Sequence, residues 1–287
     1  MEEGYSYQRM KEDLARLCEQ FPFLYVETIG HSVAGRGIPV VRLGTGPNEI
    51  HYNAAMHANE WITAPLLMRF LEEAACAFMQ GSCYRGKDMR QIFSETSLWA
   101  VPMVNPDGVD LVHTAPCHFE NWKANLRGVD LNDQFPAHWE EERARRTVQL
   151  PGERDYGGEA PLTEPEAVAL ARFTSLHDFQ LVMALHTQGR EIYWNYRDLE
   201  PPGSEAIAYR FAQVSGYKAV KLTDSDAGYK DWFIQEFGRP GFTVEVGWGT
   251  NPLPPDLLPQ LYEEVADILL EGLTVCMNRF GPPTYTD

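Results

Sequence analysis

Two apolar runs in this 287-residue sequence stop abruptly at a histidine, and those stops constrain the fold more than any other feature. Glu49–Met56 reads as a buried strand, His57-Ala58-Asn59-Glu60 as the turn that ends it, and Trp61–Met79 as the helix that follows. A second apolar strand, Phe179–Leu185, runs directly into His186. In open α/β sheets ligands collect at the carboxyl ends of strands, so two strands that both end in histidine mark a candidate site.

One helical step places His57 and Glu60, three residues apart, on the same side. Neutral imidazole and carboxylate are zinc donors, and a catalytic zinc takes three protein donors and keeps one position open. His186 is the candidate third donor. Alone, His-x-x-Glu equally fits a polar turn whose glutamate sits near the positive end of a helix dipole. His31, His51, His113, His118, His138 and His177 lie in loops, within strand patterns or on helix ends, and read as surface or hydrogen-bonded structural residues. Glu245 closes the alternating strand Gly241–Gly247 as an acid among apolar neighbours. A lone buried carboxylate is costly, so Glu245 is either paired structurally or placed beside a metal as a general base.

Several further motifs occur in order: Val-Pro-Met-Val-Asn-Pro-Asp-Gly-Val (101–109), Asn-Trp-Lys-Ala-Asn (121–125), Gly-Val-Asp-Leu-Asn-Asp (128–133), Leu-His-Thr (185–187) and Thr-Val-Glu-Val-Gly (243–247). With His-Ala-Asn-Glu-Trp-Ile-Thr (57–63) they make the chain resemble the zinc carboxypeptidases of the carboxypeptidase A type. Within these it is similar to the bacterial γ-D-glutamyl-L-diamino acid endopeptidase I group, from Tyr5 to about Leu270. The resemblance implies one zinc per chain held by His57, Glu60 and His186, with Glu245 as the base that activates the attacking water. It treats Asn105–Gly108 as a scaffold turn outside the catalytic set.

Two departures from the family pattern bear on substrate. The family's Asn-Arg pair, whose arginine forks onto the substrate's terminal carboxylate, is Asn132-Asp133 here. An aspartate cannot make that clamp; it suits an ammonium group or an amide N–H, as a diamino acid such as diaminopimelate offers, or it is a turn residue bonded to its own backbone. Where the family has Trp-Arg this chain has Trp122-Lys123, so Lys123 is the candidate electrophile for the oxyanion. The family's mobile tyrosine maps to about Thr223, leaving Tyr229 as a possible stand-in. Lys230 is the candidate for the second carboxylate of diaminopimelate, the alternative being a solvated lysine on a helix.

The resemblance, with these departures, implies a zinc peptidase that cuts the γ-D-glutamyl bond to a diamino acid in peptidoglycan peptides, with the small peptide as its partner. A metallocarboxypeptidase for ordinary L-peptides is the alternative, and would need a cation such as Arg127 or Arg190 in place of the missing arginine. A wall-peptide-binding pseudoenzyme is the third reading, opposed by the complete His57/Glu60/His186/Glu245 set.

Interleaved helices and short apolar strands predict an α/β fold in one domain over residues 1–287, with a mixed, largely parallel sheet flanked by helices. Expected strands are Leu24–Ile29, Ile38–Leu43, Ser97–Val104, Leu181–Leu185, Ala219–Leu222 and Phe242–Val246. Expected helices are Ser6–Gln20, Thr163–His177, Gly203–Gly216, Tyr229–Phe237 and Asp256–Met277. Asn105–Pro161 reads as a long irregular stretch, which in a compact domain is functional, and its charged Glu140–Arg146 run as a solvated helix. A formal charge of −17 argues against nucleic acid and anionic membranes as partners. No run reaches the ~18 apolar residues of a membrane span, and no apolar leader is visible at the N-terminus. Cys18, Cys76, Cys83, Cys117 and Cys276 lack Cys-x-x-Cys spacing and read as reduced thiols of a cytoplasmic protein. Oligomeric state is not legible.

Overall fold

The computed structural model describes residues 4–119, 121–148 and 150–275; Cys276 and the end of the helix expected to reach Met277 lie outside them. Among the described residues eight strands form one sheet: β1 (Tyr25–His31), β2 (Gly37–Leu43), β3 (Asn48–Asn53), β6 (Thr96–Val101), β7 (Leu181–His186), β8 (Glu191–Tyr193), β9 (Lys218–Val220) and β10 (Gly241–Glu245). A separate two-stranded hairpin is made of β4 (Cys83–Tyr84) and β5 (Lys87–Asp88). The order across the main sheet is β1-β2-β6-β3-β7-β10-β8-β9. Its centre, β6-β3-β7-β10, is parallel, and β8-β9 is a further parallel pair. The pairs β1-β2, β2-β6 and β10-β8 are antiparallel. The expected mixed, largely parallel α/β sheet is what forms.

The central strands are apolar on both faces because both are covered. Ile50, Tyr52, Leu181, Met183 and Leu185 enter one core, with residues of helices α1 (Tyr7–Gln20), α2 (Thr63–Gln80) and α10 (Leu258–Thr274). The alternate positions Val182 and Ala184 enter the other, with α7 (Pro165–Ser175) and α9 (Tyr229–Phe237). His51, also on that side, bonds through Nδ1 to Trp99 O at 2.9 Å. Burial drives its pKa down to about 3, so it is a neutral core histidine.

The stretch from Asn105 to Pro161 departs from expectation. It carries α4 (Pro106–Thr114), α5 (Pro116–Phe119) and α6 (Trp139–Arg145), after α3 (Met89–Glu95). Asn105-Pro106-Asp107-Gly108 is the start of α4: Asn105 caps it by accepting from Gly108 N at 3.0 Å, and Pro106 occupies the first turn. Asn105 Nδ2 also donates to Met56 O and Ala124 O, both at 3.1 Å, tying the end of β3 to the segment that carries Lys123. A Cβ at residue 108 would lie 2.5 Å from Ala124 O, so glycine is what permits this close approach. Helix α6 is not a solvated helix on every side, since Trp139 and Glu142 are buried. Strand β8 and hairpin β4-β5 are too short to show periodicity, and α8 (Ser204–Ser215) forms as expected.

Candidate active site

His57 ends β3 in extended conformation and the chain then makes one 3-10 turn, Ala58–Glu60, before α2. Side chains three apart eclipse in such a turn, and His57 Nδ1 lies 3.0 Å from Glu60 Oε1. His186, last residue of β7, brings its Nδ1 to 3.0 Å from Glu60 Oε2 and 3.1 Å from His57 Nδ1. The three residues are buried, and donor atoms from each lie within 4.8 Å of one another. Two imidazole nitrogens and a carboxylate turned onto one point fit a zinc ion, because donors ~2.0–2.1 Å from a tetrahedral ion lie a little over 3 Å apart.

The donors are themselves held. His57 Nε2 meets Asp130 Oδ1 at 3.1 Å, a carboxylate–histidine contact that fixes the ring and its tautomer at metal sites. Thr187 N donates to Glu60 Oε2 at 3.2 Å. Asn251 in turn holds Thr187 through Nδ2 to Thr187 O at 2.8 Å and by accepting from Thr187 Oγ1 at 2.7 Å. Burial lowers the His57 pKa, but the Glu60 and Asp130 carboxylates outweigh it and bring the ring up to about 9. Burial keeps His186 below its usual range, with the His57 charge adding to the effect. For Glu60, burial is overcome by the two rings, so its carboxyl is held low. A dication there would take over the role of these protons.

Glu245 ends β10 as the cross-strand partner of His186 in the parallel ladder, so both project to the same side of the sheet. Burial, then the negative charge of Glu60, push its carboxyl up to about 8 against the pull of His57 and Lys123; a dication on the donor set would draw it back down. Lys123 Nζ lies 2.7 Å from Asp130 Oδ2 and 2.6 Å from Asp155 Oδ1. Asp130 therefore joins His57 and Lys123 in one buried network.

A cavity of about 330 Å³ opens over this cluster, lined by His57, Glu60, Lys123, Asn132, Asp133, Arg146, Arg154, His186, Tyr193, Lys230, Asp231 and Glu245 among others. It collects every candidate from the sequence except Tyr229. That phenol is fully buried beneath the sheet, hydrogen-bonded to Thr174 Oγ1 at 2.9 Å and packed on Phe135 and Trp232. The helical period gave α9 but not which face each residue takes. The phenol on the cavity wall is Tyr193, which donates to Glu191 Oε2 at 2.8 Å.

Lys230 is not a solvated lysine: it is buried in the wall, donates to Asn195 O at 2.6 Å and is paired with Asp231. Asn132 Oδ1 accepts from Tyr229 N at 3.0 Å, fixing the start of α9 against the cavity. Burial, then neighbouring Asp130, push the Asp133 carboxyl up to about 8, opposed by Lys123 and Arg146. Arg146 Nη2 sits 3.3 Å from Asp133 Oδ2. Arg127 and Arg190 are elsewhere, paired with Glu164 and Glu264. Asp130, Arg146 and Asn251 were missed in the sequence. Asp130 lies inside a quoted motif, so its spacing to Asn132 was a usable signal; nothing marked the other two.

The zinc carboxypeptidase family model (peptidase M14) matches residues 10–267. The chain belongs to the zinc carboxypeptidases. Over 95% of its length it is 48% identical to γ-D-glutamyl-L-diamino acid endopeptidase 1 of Lysinibacillus sphaericus, covering 73% of that protein. It is 39% identical to the uncharacterized protein YqgT of Bacillus subtilis (strain 168), across 95% of this chain and 78% of that one. The fold superposes on bovine thrombin-activatable fibrinolysis inhibitor, solved with a tick carboxypeptidase inhibitor. The TM-score is 0.81 at 17% identity, with 95% of this chain and 97% of that one covered. No helix among the described residues is long and apolar enough to cross a membrane.

Proposed function

We propose that this zinc carboxypeptidase hydrolyses the γ-D-glutamyl bond to a diamino acid, meso-diaminopimelate in particular, in peptidoglycan-derived peptides, as one catalytic unit. The observation that carries the reading is the buried Lys230–Asp231 pair in the cavity wall. A side chain ending in both ammonium and carboxylate can exchange partners with such a pair, its carboxylate taking Lys230 and its ammonium Asp231. An apolar side chain could make neither exchange, and the pair would stay closed on itself. The name borne by the 48% identical relative supports the same substrate class. Asn132 and Asp133 complete the leaving-side wall.

His57, Glu60 and His186 would hold one zinc, which supplies Lewis acidity toward the carbonyl and lowers the pKa of water. Glu245 faces the donor cluster, where a zinc charge would draw its raised carboxyl back down, and takes a proton from the attacking water and returns it to the departing amine. Lys123 offers a positive charge to the oxyanion. To do so it shares its ammonium away from Asp155, the more exposed of its two carboxylates at 26%, while Asp130 keeps it in place. A cytoplasmic setting belongs to this reading, since Cys18, Cys76, Cys83 and Cys117 are free as thiols are in a reducing compartment.

The test is incubation with L-Ala-γ-D-Glu-meso-diaminopimelate, its lysine analogue and an ordinary C-terminal dipeptide, with products identified by mass. Release of diaminopimelate, faster than lysine and with the dipeptide intact, is expected. Preferential cutting of the dipeptide would transfer the assignment to an ordinary carboxypeptidase.

A further inference from the structure

Among the described residues four lysine and arginine side chains line the cavity: Lys123, Arg146, Arg154 and Lys230. Lys123 is committed to Asp130 and Asp155 and Lys230 to Asp231 and a carbonyl. Arg154 is 63% exposed, with Asp155 no nearer than 4.0 Å. Arg146 differs from all three. It follows the last turn of α6, where Glu142 Oε1 is ion-paired with its Nε at 2.7 Å, without the geometry of a hydrogen bond. Among the described residues its two terminal nitrogens have only long contacts, Nη2 to Asp133 at 3.3 Å and Nη1 to Asp155 at 3.7 Å. Charge-assisted bonds are ~2.7–2.9 Å, so the forked edge of this guanidinium is loosely occupied, on a residue that lines the cavity.

We propose that Arg146 is the site's carboxylate receptor on the leaving side, with Glu142 and Asp133 as positioning residues that aim its fork. The inference rests on the diamino acid peptidase reading and names the group that reads the leaving fragment's carboxylate. The geometry recovers from α6 a cation that position 133 does not supply. It also gives Asp133 a place: a carboxyl that burial keeps protonated near neutral pH donates to a substrate carboxylate instead of repelling it. The guanidinium offers two parallel N–H donors, a match that an ammonium cannot make. The ligand chemistry is a carboxylate beyond the scissile amide, either the diamino acid's own α-carboxylate or that of a following residue.

The experiment compares kcat and KM of wild type, Arg146→Gln and Arg146→Lys on four peptides. These are L-Ala-γ-D-Glu-meso-diaminopimelate, the same peptide with its α-carboxylate next to the scissile bond as a carboxamide, the peptide extended by D-alanine, and one amidated on the D-glutamate α-carboxylate. Arg146→Gln should raise KM for the free acid at least about tenfold, with kcat changed much less, and leave the carboxamide within about threefold. Arg146→Lys should recover part of the loss and stands in if Arg146→Gln does not fold. Loss of the penalty on D-alanine extension assigns the diamino acid's own carboxylate, and its retention assigns the terminal one; both keep the proposal. Equal effects on free acid and carboxamide, or a penalty that disappears on amidation at D-glutamate, would overturn it. No cleavage of any diamino acid peptide by wild type would instead remove the functional reading on which it rests.

Discussion

Replacing Asp130 by asparagine probes the network at its centre. Asp130 is fully buried and serves three groups: His57 Nε2 at 3.1 Å, Lys123 Nζ at 2.7 Å and Asn132 N at 2.9 Å. Asparagine keeps the volume, and its Oδ1 can still accept from Asn132 N and the imidazole. Its NH2, however, turns a donor toward the Lys123 ammonium. Removing one partner of a buried ion pair typically costs about 3–5 kcal/mol. Lys123 retains Asp155 at 2.6 Å, which places the loss in the metal-free protein near the lower end, about 3 kcal/mol. The imidazole also loses an anionic acceptor, and carboxylates in that role are worth about 10–100-fold in metal affinity. Urea unfolding of the metal-free protein reads the first quantity, and zinc competition against a chelator the second. Asp155→Asn, at a partly exposed position, is the internal control and should cost about 1 kcal/mol with little change in zinc affinity. Asp130→Asn with zinc affinity within about twofold of wild type and no larger stability loss than Asp155→Asn would refute the coupling.

Wild type should carry one zinc per chain, and elemental analysis should find it absent from His57→Ala and His186→Ala. Glu245→Gln should keep its zinc and lose about 10²-fold or more in kcat, the scale of a positioned general base; near-normal turnover would take Glu245 out of the reaction. Asp133, raised from the ordinary carboxyl range to about 8, costs the fold stability progressively as pH climbs from ~4 through that value, because the unfolded chain releases the proton first. Asp133→Asn should therefore narrow the difference in unfolding free energy between pH 5 and pH 8, and an unchanged difference would contradict the buried, protonated state. Tyr229→Phe should leave kcat/KM unchanged and cost about 1 kcal/mol in thermal unfolding, the value of its bond to Thr174.

The frame was legible because its signals are local. Apolar runs of strand length reported β3, β7 and β10, and their abrupt ends reported where His57, His186 and Glu245 would emerge. Helix α9 spans the residues that its sequence pattern predicts. The face each residue takes is set by packing, which is why Tyr229 was read into the cavity and lies instead among Phe135, Trp232 and His51. Residues 105–161 read as irregular because the helices there are short and held by distant partners: Asn105 by Met56 and Ala124, α6 by the Asp226 carboxylate that Arg145 reaches at 2.5 Å. A helix charged all round looks solvated in one dimension. Only the fold shows that Glu142 faces inward and delivers Arg146. Asp130 was hidden for the same reason, since its partner His57 is 73 positions away.

Glu245 and His186 are neighbours in the ladder between β10 and β7, so the spacing of the proposed base and the proposed zinc donor is inherited from backbone hydrogen bonds in the middle of the sheet. Arg146 and Lys230, by contrast, are presented by α6 and α9, outside that ladder. Insertions or exchanges in those segments can rewrite which peptide is accepted without moving the atoms that cut it. A single-residue slip in β10 would do the reverse, turning Glu245 to the opposite face. Directed libraries aimed at new peptide substrates therefore belong in α6 and the start of α9, with β7 and β10 held fixed.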